Sequence, residues 1–300
     1  MRITQRAITQ TSLLGLNSNL AALNKLQQQL TSGTTISRPS DSPTGTNTSM
    51  LTRRSIADND QQARNITDGT TVLEATDSAL QDMLAQTLKV RDLTVQALNS
   101  GAGNAETRQA IASQVSGLRE SMLGQANQVV AGRPLFGGVT SGATAYDDGE
   151  FVGVAFDEDV KATAINRRVS DNETIRVDVT GPEAFGSPDG SNLFAVVQNI
   201  ATHTTGDDQP ALTEDLAALD EAISRLTEAT ADVGTRAQRM ERAGTTNSAR
   251  ALTLSAALAA TEDVDLPKTI MTMKAQEVSY QAALQVTAQV LQPTLLDFLR

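Results

Sequence analysis

Leu13, Leu16, Leu20, Leu23 and Leu30 recur at alternating three- and four-residue steps, with Gln27 in the vacant position and Leu26 beside it. A repeat of about 3.5 residues predicts a helix over residues 5–32 that carries a coiled-coil seam. Gly33 is a natural stop, and Pro39 and Pro43 forbid continuation. A second helical run is expected from about Thr46 to Asn99, its stripe marked by Ile56, Ile66, Leu73, Leu80, Leu84, Leu88, Val95 and Leu98. The Gly- and Asn-rich stretch 99–104 predicts a turn. Ile111, Val115, Leu118, Met122, Ala126 and Val129 then mark a third helix, ended by Gly132 and Pro134.

From Leu135 to about residue 190 the period changes. Glycines and aspartates separate two short alternations, Val152/Val154/Phe156 and Ile175/Val177/Val179, which predict strands. NLFAVVQNIATH reads as a short helix. The most regular run follows: Leu212, Leu216, Leu219, Ile223, Leu226, Thr230, Val233, Ala237, Met240 and Gly244 alternate four and three without a fault. Such a stripe needs a partner helix. Pro267 then separates this helix from a last one bearing Ile270, Met273, Tyr280, Leu284 and Leu291. The expected fold is mainly α, a long antiparallel helical rod with terminal coiled-coil helices and a small strand-rich insertion. The expected domains are an inner pair of 1–40 plus 265–300, a rod of 41–138 plus 205–264, and an outer insertion of 139–204. An insertion between packed helices is expected to project outward, so that loss of 141–189 leaves assembly intact.

Composition narrows the function. Six Phe, two Tyr and no Trp favour slim helical packing over a ligand cavity. A net charge of −11 without any cluster of Lys and Arg argues against a nucleic-acid partner. No Cys is present and His203 is the one histidine, which removes thiol chemistry and paired imidazole ligands. The start, MRITQRAITQTSLLGL, has no continuous apolar region and no A-x-A site, so a cleaved signal peptide is not expected. Residues 275–296 carry Glu277 and five glutamines, too polar to span a membrane.

The chemistry-bearing motifs are weak. DDGE (147–150) and FDEDV (156–160) lack the twelve-residue ligand spacing of a calcium loop and read as solvated turns. His203 has no G-x-S-x-G nucleophile to serve, and the glycine clusters lack the Lys of a phosphate loop. No catalytic residue, metal ligand or cofactor site is expected. The ends of the chain are more informative. Residues 1–40 hold Arg2, Arg6, Lys25 and Arg38 and no acid, so every carboxylate lies beyond the proline break. Both ends are Gln- and Ala-rich amphipathic helices isolated by prolines, with too little area to order without partners. That is the pattern of a protein that polymerises.

Four stretches carry a resemblance: ISRPSDSPTGTN, RNITDGTTVLEATDSALQDM, RQAIASQVSGLRESMLGQANQVVAGRPLFGG and KAQEVSYQAALQVTAQVLQPTLLDFLR. Together, over residues 1–138 and about 191–300, they resemble the bacterial flagellin superfamily. GRPLFGG is similar to the G-R-x-L-F-x-G of that superfamily's hook-filament junction branch, the hook-associated proteins of type 3. Flagellins carry F-N-G at this point and open on I-N-T-N. Leu135, Phe136, Gly137 and Gly138 weigh most in that distinction, and Pro134 stands where the family commonly has an aromatic. The resemblance implies a structural adaptor, with filament-forming flagellin as the alternative. It implies export through the flagellar type III apparatus without cleavage and an extracellular place in the flagellum. Its implied partners are copies of itself, flagellin on one side, another hook-associated protein on the other, and an export chaperone before secretion. Leu13, Leu16, Leu20 and Leu23 against Leu284, Val290 and Leu291 are the expected subunit-interface residues, with Pro39, Pro43 and Pro267 as hinges.

Overall fold

The structure, a computed structural model, describes residues 2–99, 104–187 and 191–291. In chain order the helices are α1 (Arg2–Ser32), α2 (Pro43–Asn99), α3 (Ala105–Ala126), α4 (Gly181–Phe185), α5 (Leu193–Gly206), α6 (Gln209–Glu262) and α7 (Leu266–Leu291). Three short antiparallel hairpins fall between α3 and α4: β1 (Val129–Val130) with β2 (Arg133–Pro134), β3 (Tyr146–Asp147) with β4 (Glu150–Phe151), and β5 (Asn166–Arg168) with β6 (Thr174–Arg176). The fold is mainly α with a small strand-rich insertion. The chain divides into two compact units, residues 1–58 with 250–300, and Asn59–Ala249.

In the unit Asn59–Ala249, α2 and α6 run antiparallel, tied by Asn59 to Asn247 and by Arg91 to Asp220 at 2.7 Å. The seam of α2 is Asn59, Gln62, Ile66, Gly69, Leu73, Thr76, Leu80, Met83, Thr87, Val90, Thr94 and Ala97, every one buried. Three- and four-residue steps alternate throughout, yet half the positions are polar or glycine, so a leucine-based reading finds only Ile66, Leu73 and Leu80. Leu84, Val95 and Leu98 are half-buried, and Leu88 is exposed. Burying threonine is tolerated here because each hydroxyl turns back on its own helix: Thr76 donates to the Val72 carbonyl at 2.8 Å, Thr87 to Met83 at 2.7 Å and Thr94 to Val90 at 2.8 Å. Gly69 is small for a packing reason, since a Cβ there would sit 2.5 Å from Met240 Cε.

The seam of α6 departs from its sequence reading by one residue at alternate steps. Leu212, Leu219, Leu226, Val233 and Met240 are buried as expected, but Asp215 and Ala222 are buried where Leu216 and Ile223 were expected. Asp215 is accommodated by His203 of α5, whose Nδ1 lies 2.6 Å from its carboxylate. This accounts for the one histidine as a packing partner. The third helix also ends earlier than expected, at Ala126, because Asn127 takes over. Its amide accepts from the Ala145 and Tyr146 backbone at 2.8 Å and donates to the Tyr146 carbonyl at 2.9 Å, turning the chain into β1.

The strand-rich segment shares the core of the helices. Phe136, Tyr146, Phe151, Phe185 and Phe194, five of the chain's eight aromatics, meet edge to face with ring centroids 4.8–5.9 Å apart. Ile175, Val177 and Val179 are buried as their alternation predicts. The other alternation forms no strand beyond Phe151, and Val152 and Val154 are exposed. Arg176 stacks 3.6 Å over Phe156 and donates to Asp178 and Glu183. Burial works against the Glu183 carboxylate, but its bonds to Arg176 and Thr180 hold its pKa below the ordinary value. Helices reach across as well: Arg236 donates to the Asp178 carbonyl at 2.8 Å, and Asn65 to that of Arg168 at 2.9 Å. Tolerance of a 141–189 deletion therefore does not follow, because the segment fills the core rather than standing apart from it.

GRPLFGG explains itself in this setting. Leu135 and Phe136 are buried in the core. A Cβ on Gly137 would lie 2.7 Å from Pro134 Cγ, and one on Gly138, which has φ 67°, would lie 2.2 Å from the Val154 carbonyl oxygen. Gly138→Val is expected to destabilise the unit by several kcal/mol, because the strain and the clash fall on backbone that cannot yield. Thermal melting followed by circular dichroism checks this.

Candidate assembly surface of the terminal helix pair

In the other unit, α1 and α7 pair antiparallel. The α1 side of the seam is Ser12, Leu16, Asn19, Leu23, Leu26 and Leu30, and the α7 side is Thr269, Met273, Gln276, Tyr280, Ala283 and Thr287. Both follow heptad spacing, but polar or small residues fill half of the positions. Gln276 donates to Asn19 at 3.0 Å in the middle of the pair. With Asn19 in the seam, its neighbour Leu20 is turned about 100° around the helix.

The expected interface residues are thereby split. Leu16 and Leu23 are half-buried toward α7, whereas Leu13, Leu20 and Leu284 point away from the pair and are 51%, 39% and 44% exposed. The side chains of Val290 and Leu291 lie outside the described residues. Within one chain Leu13 and Leu20 do not pack against Leu284: Leu16, Leu23, Leu26 and Leu30 share the seam with amide and threonine positions, and Leu13, Leu20 and Leu284 face outward. Leu14, Ile270, Met271, Val278 and Val286, singled out by no sequence reading of the interface, are exposed on the same two helices. A sequence signal for them existed, since an amphipathic helix with apolar residues on two faces has one face more than a single partner can cover.

The two proline-bearing breaks at the base of this pair are fastened to each other. Thr34 and Asp263 form an antiparallel bridge; the Thr35 N–H donates to the Glu262 carbonyl at 2.7 Å and that of Val264 to Gly33 at 3.0 Å. Gly33 has φ 72°, which lets α1 stop there. Pro39 is exposed in the loop, Pro43 is the first residue of α2, and Pro267 is the second of α7, positions where a missing N–H costs nothing. Asp41 accepts from the Ser37 and Arg38 backbone and pairs with Lys25 at 2.9 Å. Glu262 accepts from Ser49 and, through two bonds, from Arg53.

These bonds have an acid limit. The hydrogen bond from Arg53, then that from Ser49, holds the Glu262 carboxyl below its ordinary 4.5, and Lys25 does the same for Asp41. A carboxylate with a depressed folded pKa stabilises the fold above its unfolded pKa, and the contribution vanishes as pH falls through the folded value. Melting of the terminal unit is therefore expected to be constant from pH 7 to about pH 5 and to fall below about pH 4. Glu262→Gln is expected to lower the melting temperature at pH 7 and to flatten that acid response. An unchanged acid profile in the variant would show that other carboxylates set it.

Among the described residues, no three or more His, Cys, Asp or Glu side chains gather as a metal site, and no helix is long and apolar enough to cross a membrane. What the geometry presents is packing surface.

Residues 3–140 match the bacterial flagellin N-terminal helical region, and residues 216–299 match the bacterial flagellin C-terminal helical region. The chain belongs to the bacterial flagellin family. Full-length relatives within it include flagellin of Bacillus subtilis, 27% identical over 96% of each chain. Flagellar hook-associated protein 3 of Escherichia coli is 25% identical over 94% of this chain and 95% of that one. Among solved structures, a putative flagellar hook-associated protein from Vibrio parahaemolyticus superposes with a TM-score of 0.66 at 16% identity, covering 74% of this chain and 99% of that one. Bacillus cereus FlgL gives 0.59 at 23% identity, covering 69% and 97%. The two matched regions take in nearly all of α1, all of α2, α3 and α7, and most of α6.

Proposed function

We propose that this protein is a structural adaptor at the junction between flagellar hook and filament. On this reading it assembles by packing of its terminal and rod helices, without catalysis and without a cofactor. The observation that carries the subunit-packing part is the terminal pair, whose own seam is half polar or small residues while Leu13, Leu20 and Leu284 remain exposed on its outer faces. Apolar side chains placed there at heptad spacing suit neighbouring helices of further copies. The junction role is supported by GRPLFGG, by the relatives named flagellar hook-associated protein 3, and by the superposition on FlgL structures. Its partners on this reading are copies of itself, flagellin on the filament side, another hook-associated protein on the hook side, and an export chaperone. It acts outside the cell after export without cleavage. The domain scheme of an inner terminal pair, a rod and an outer segment, with Pro39, Pro43 and Pro267 at the joints, belongs to the same proposal.

Similarity to B. subtilis flagellin favours a second reading, in which the chain forms the filament itself. Deleting the gene separates them in the source bacterium. Loss of a junction protein is expected to leave hooks in place while flagellin is shed into the medium as monomer. Loss of a filament protein would leave hooks with no flagellin in the medium, and that result would move the assignment to flagellin.

A further inference from the structure

A cleft in the unit Asn59–Ala249 lies apart from the terminal pair. Its volume is about 280 Å³, and it is bounded by α2, the β1–β2 hairpin and the β5–β6 hairpin. Val72, Val130, Pro134, Leu135, Ile165 and Val177 make its walls apolar. The charges around it are unequally satisfied. Asp68 is paired with Arg167 at 2.6 Å; Asp178 accepts from the Ile165 N–H at 2.8 Å and from Arg176 at 3.1 Å. Arg133 is exposed on β2, just past the positive-φ turn of Ala131 and Gly132, and has no ion pair among the described residues. An apolar cleft rimmed by one uncompensated guanidinium suits an apolar group with a carboxylate beside it.

We infer that the cleft receives the Asp157–Val160 loop of a second copy of this chain, a lateral contact that rests on the reading of the protein as an assembling subunit. Val160 is 47% exposed and follows directly on Asp157, Glu158 and Asp159. The loop is a shaped knob: the Asp157 carboxylate accepts from the Asp159 N–H at 3.0 Å, and Thr163 Oγ1 accepts from the Asp157 N–H at 2.9 Å. Glu158 and Asp159 make no ion pair among the described residues, and both carboxylates stand on the exposed side of the loop. The other acidic loop, Asp147–Glu150, is a poorer occupant because Arg119 already holds Asp148 at 3.3 Å. With a net charge of −11, copies repel one another at most orientations. An unpaired Arg against an acidic knob is a register in which they attract, so this contact sets lateral orientation.

The chain has no cysteine, which makes crosslinking clean. Full-length Arg133→Cys and Glu158→Cys proteins are mixed in equal amounts under assembly conditions and oxidised with copper phenanthroline. The 133–158 product is expected to exceed the 1:2:1 statistical share, standing well above twice the 133–133 and twice the 158–158 products, and to exceed that of a Ser141→Cys and Glu158→Cys control pair. A 133–158 product at no more than its statistical share, or no greater than that of the control pair, would overturn the proposal. A charge exchange gives the second arm, read by sedimentation at low salt in a Leu20→Asp background that silences the terminal helices. Arg133→Glu is expected to weaken association about tenfold, with recovery when mixed with Glu158→Arg protein. If neither change moves association, the cleft contact is wrong even where Leu20→Asp alone blocks assembly. If Leu20→Asp leaves assembly intact while the 133–158 crosslink persists, the terminal-helix reading fails and the cleft contact stands.

Discussion

Removing residues 141–189 and rejoining the ends with a short flexible linker is expected to unfold the unit Asn59–Ala249. The deleted stretch carries Tyr146, Val169, Ile175, Val177, Val179 and Phe185, all buried. Burial of side chains of this size contributes about 1.5–3 kcal/mol each, so their loss is on the order of 10 kcal/mol. Whole-domain stabilities are about 5–15 kcal/mol. The residues left behind fare no better, because Phe136 and Phe194 lose their ring partners Phe185 and Tyr146 and turn toward water. Circular dichroism melting of the deleted chain is expected to show one early, broad transition for the α2, α3, α5 and α6 helices. A melt matching the intact protein would mean that the helices close over the gap without the segment.

That expectation reverses the one drawn from periodicity, and the reversal shows which parts of the fold the chain's pattern can express. The order of the long helices and most of their breaks were legible, because glycines, prolines and the 3.5-residue repeat act locally, whereas the five-residue α4 is too short to leave a period. Rotational phase was not. On α6 a buried carboxylate at Asp215 is legible only once His203 is seen across the turn, and on α2 the buried threonines look like surface residues until their hydroxyls are found returning to the helix backbone. In the terminal pair, amides and threonines share the seam with Leu16, Leu23, Leu26 and Leu30, so periodicity alone does not separate these leucines from the outward Leu13, Leu20 and Leu284. The insertion was legible as strand-rich, but its role in the core depends on five aromatics far apart in sequence, which no local pattern records.

The outward leucines make the second large expected effect. Leu20→Asp is expected to leave the monomer's melting temperature nearly unchanged, since Leu20 is exposed and substitutions at exposed sites fall within about 0.5 kcal/mol. In an assembly that closes over this face, an unpaired carboxylate would be buried at a cost of several kcal/mol. Incorporation is therefore expected to fall on the order of 100-fold, to be read by competition with wild-type protein in isolated hook–basal bodies. Leu16→Asp is the contrasting variant. Because Leu16 faces α7, that change is expected to loosen the helix pair itself, with loss of helicity in the monomer. Equal behaviour of the two variants would remove the distinction between the seam within the chain and the surface between chains.

Electron microscopy of the purified full-length protein, held at high concentration in a salting-out buffer that drives flagellin to polymerise, tests the adaptor reading most directly. Salting-out conditions strengthen apolar contacts, so exposed faces such as those of Leu13, Leu20 and Leu284 are given every chance to close. The adaptor reading predicts monomers or short ring-like assemblies that do not elongate, and attachment of these to isolated hooks carrying the preceding hook-associated protein. Long homopolymeric filaments grown from this chain alone would contradict it and make the protein a flagellin.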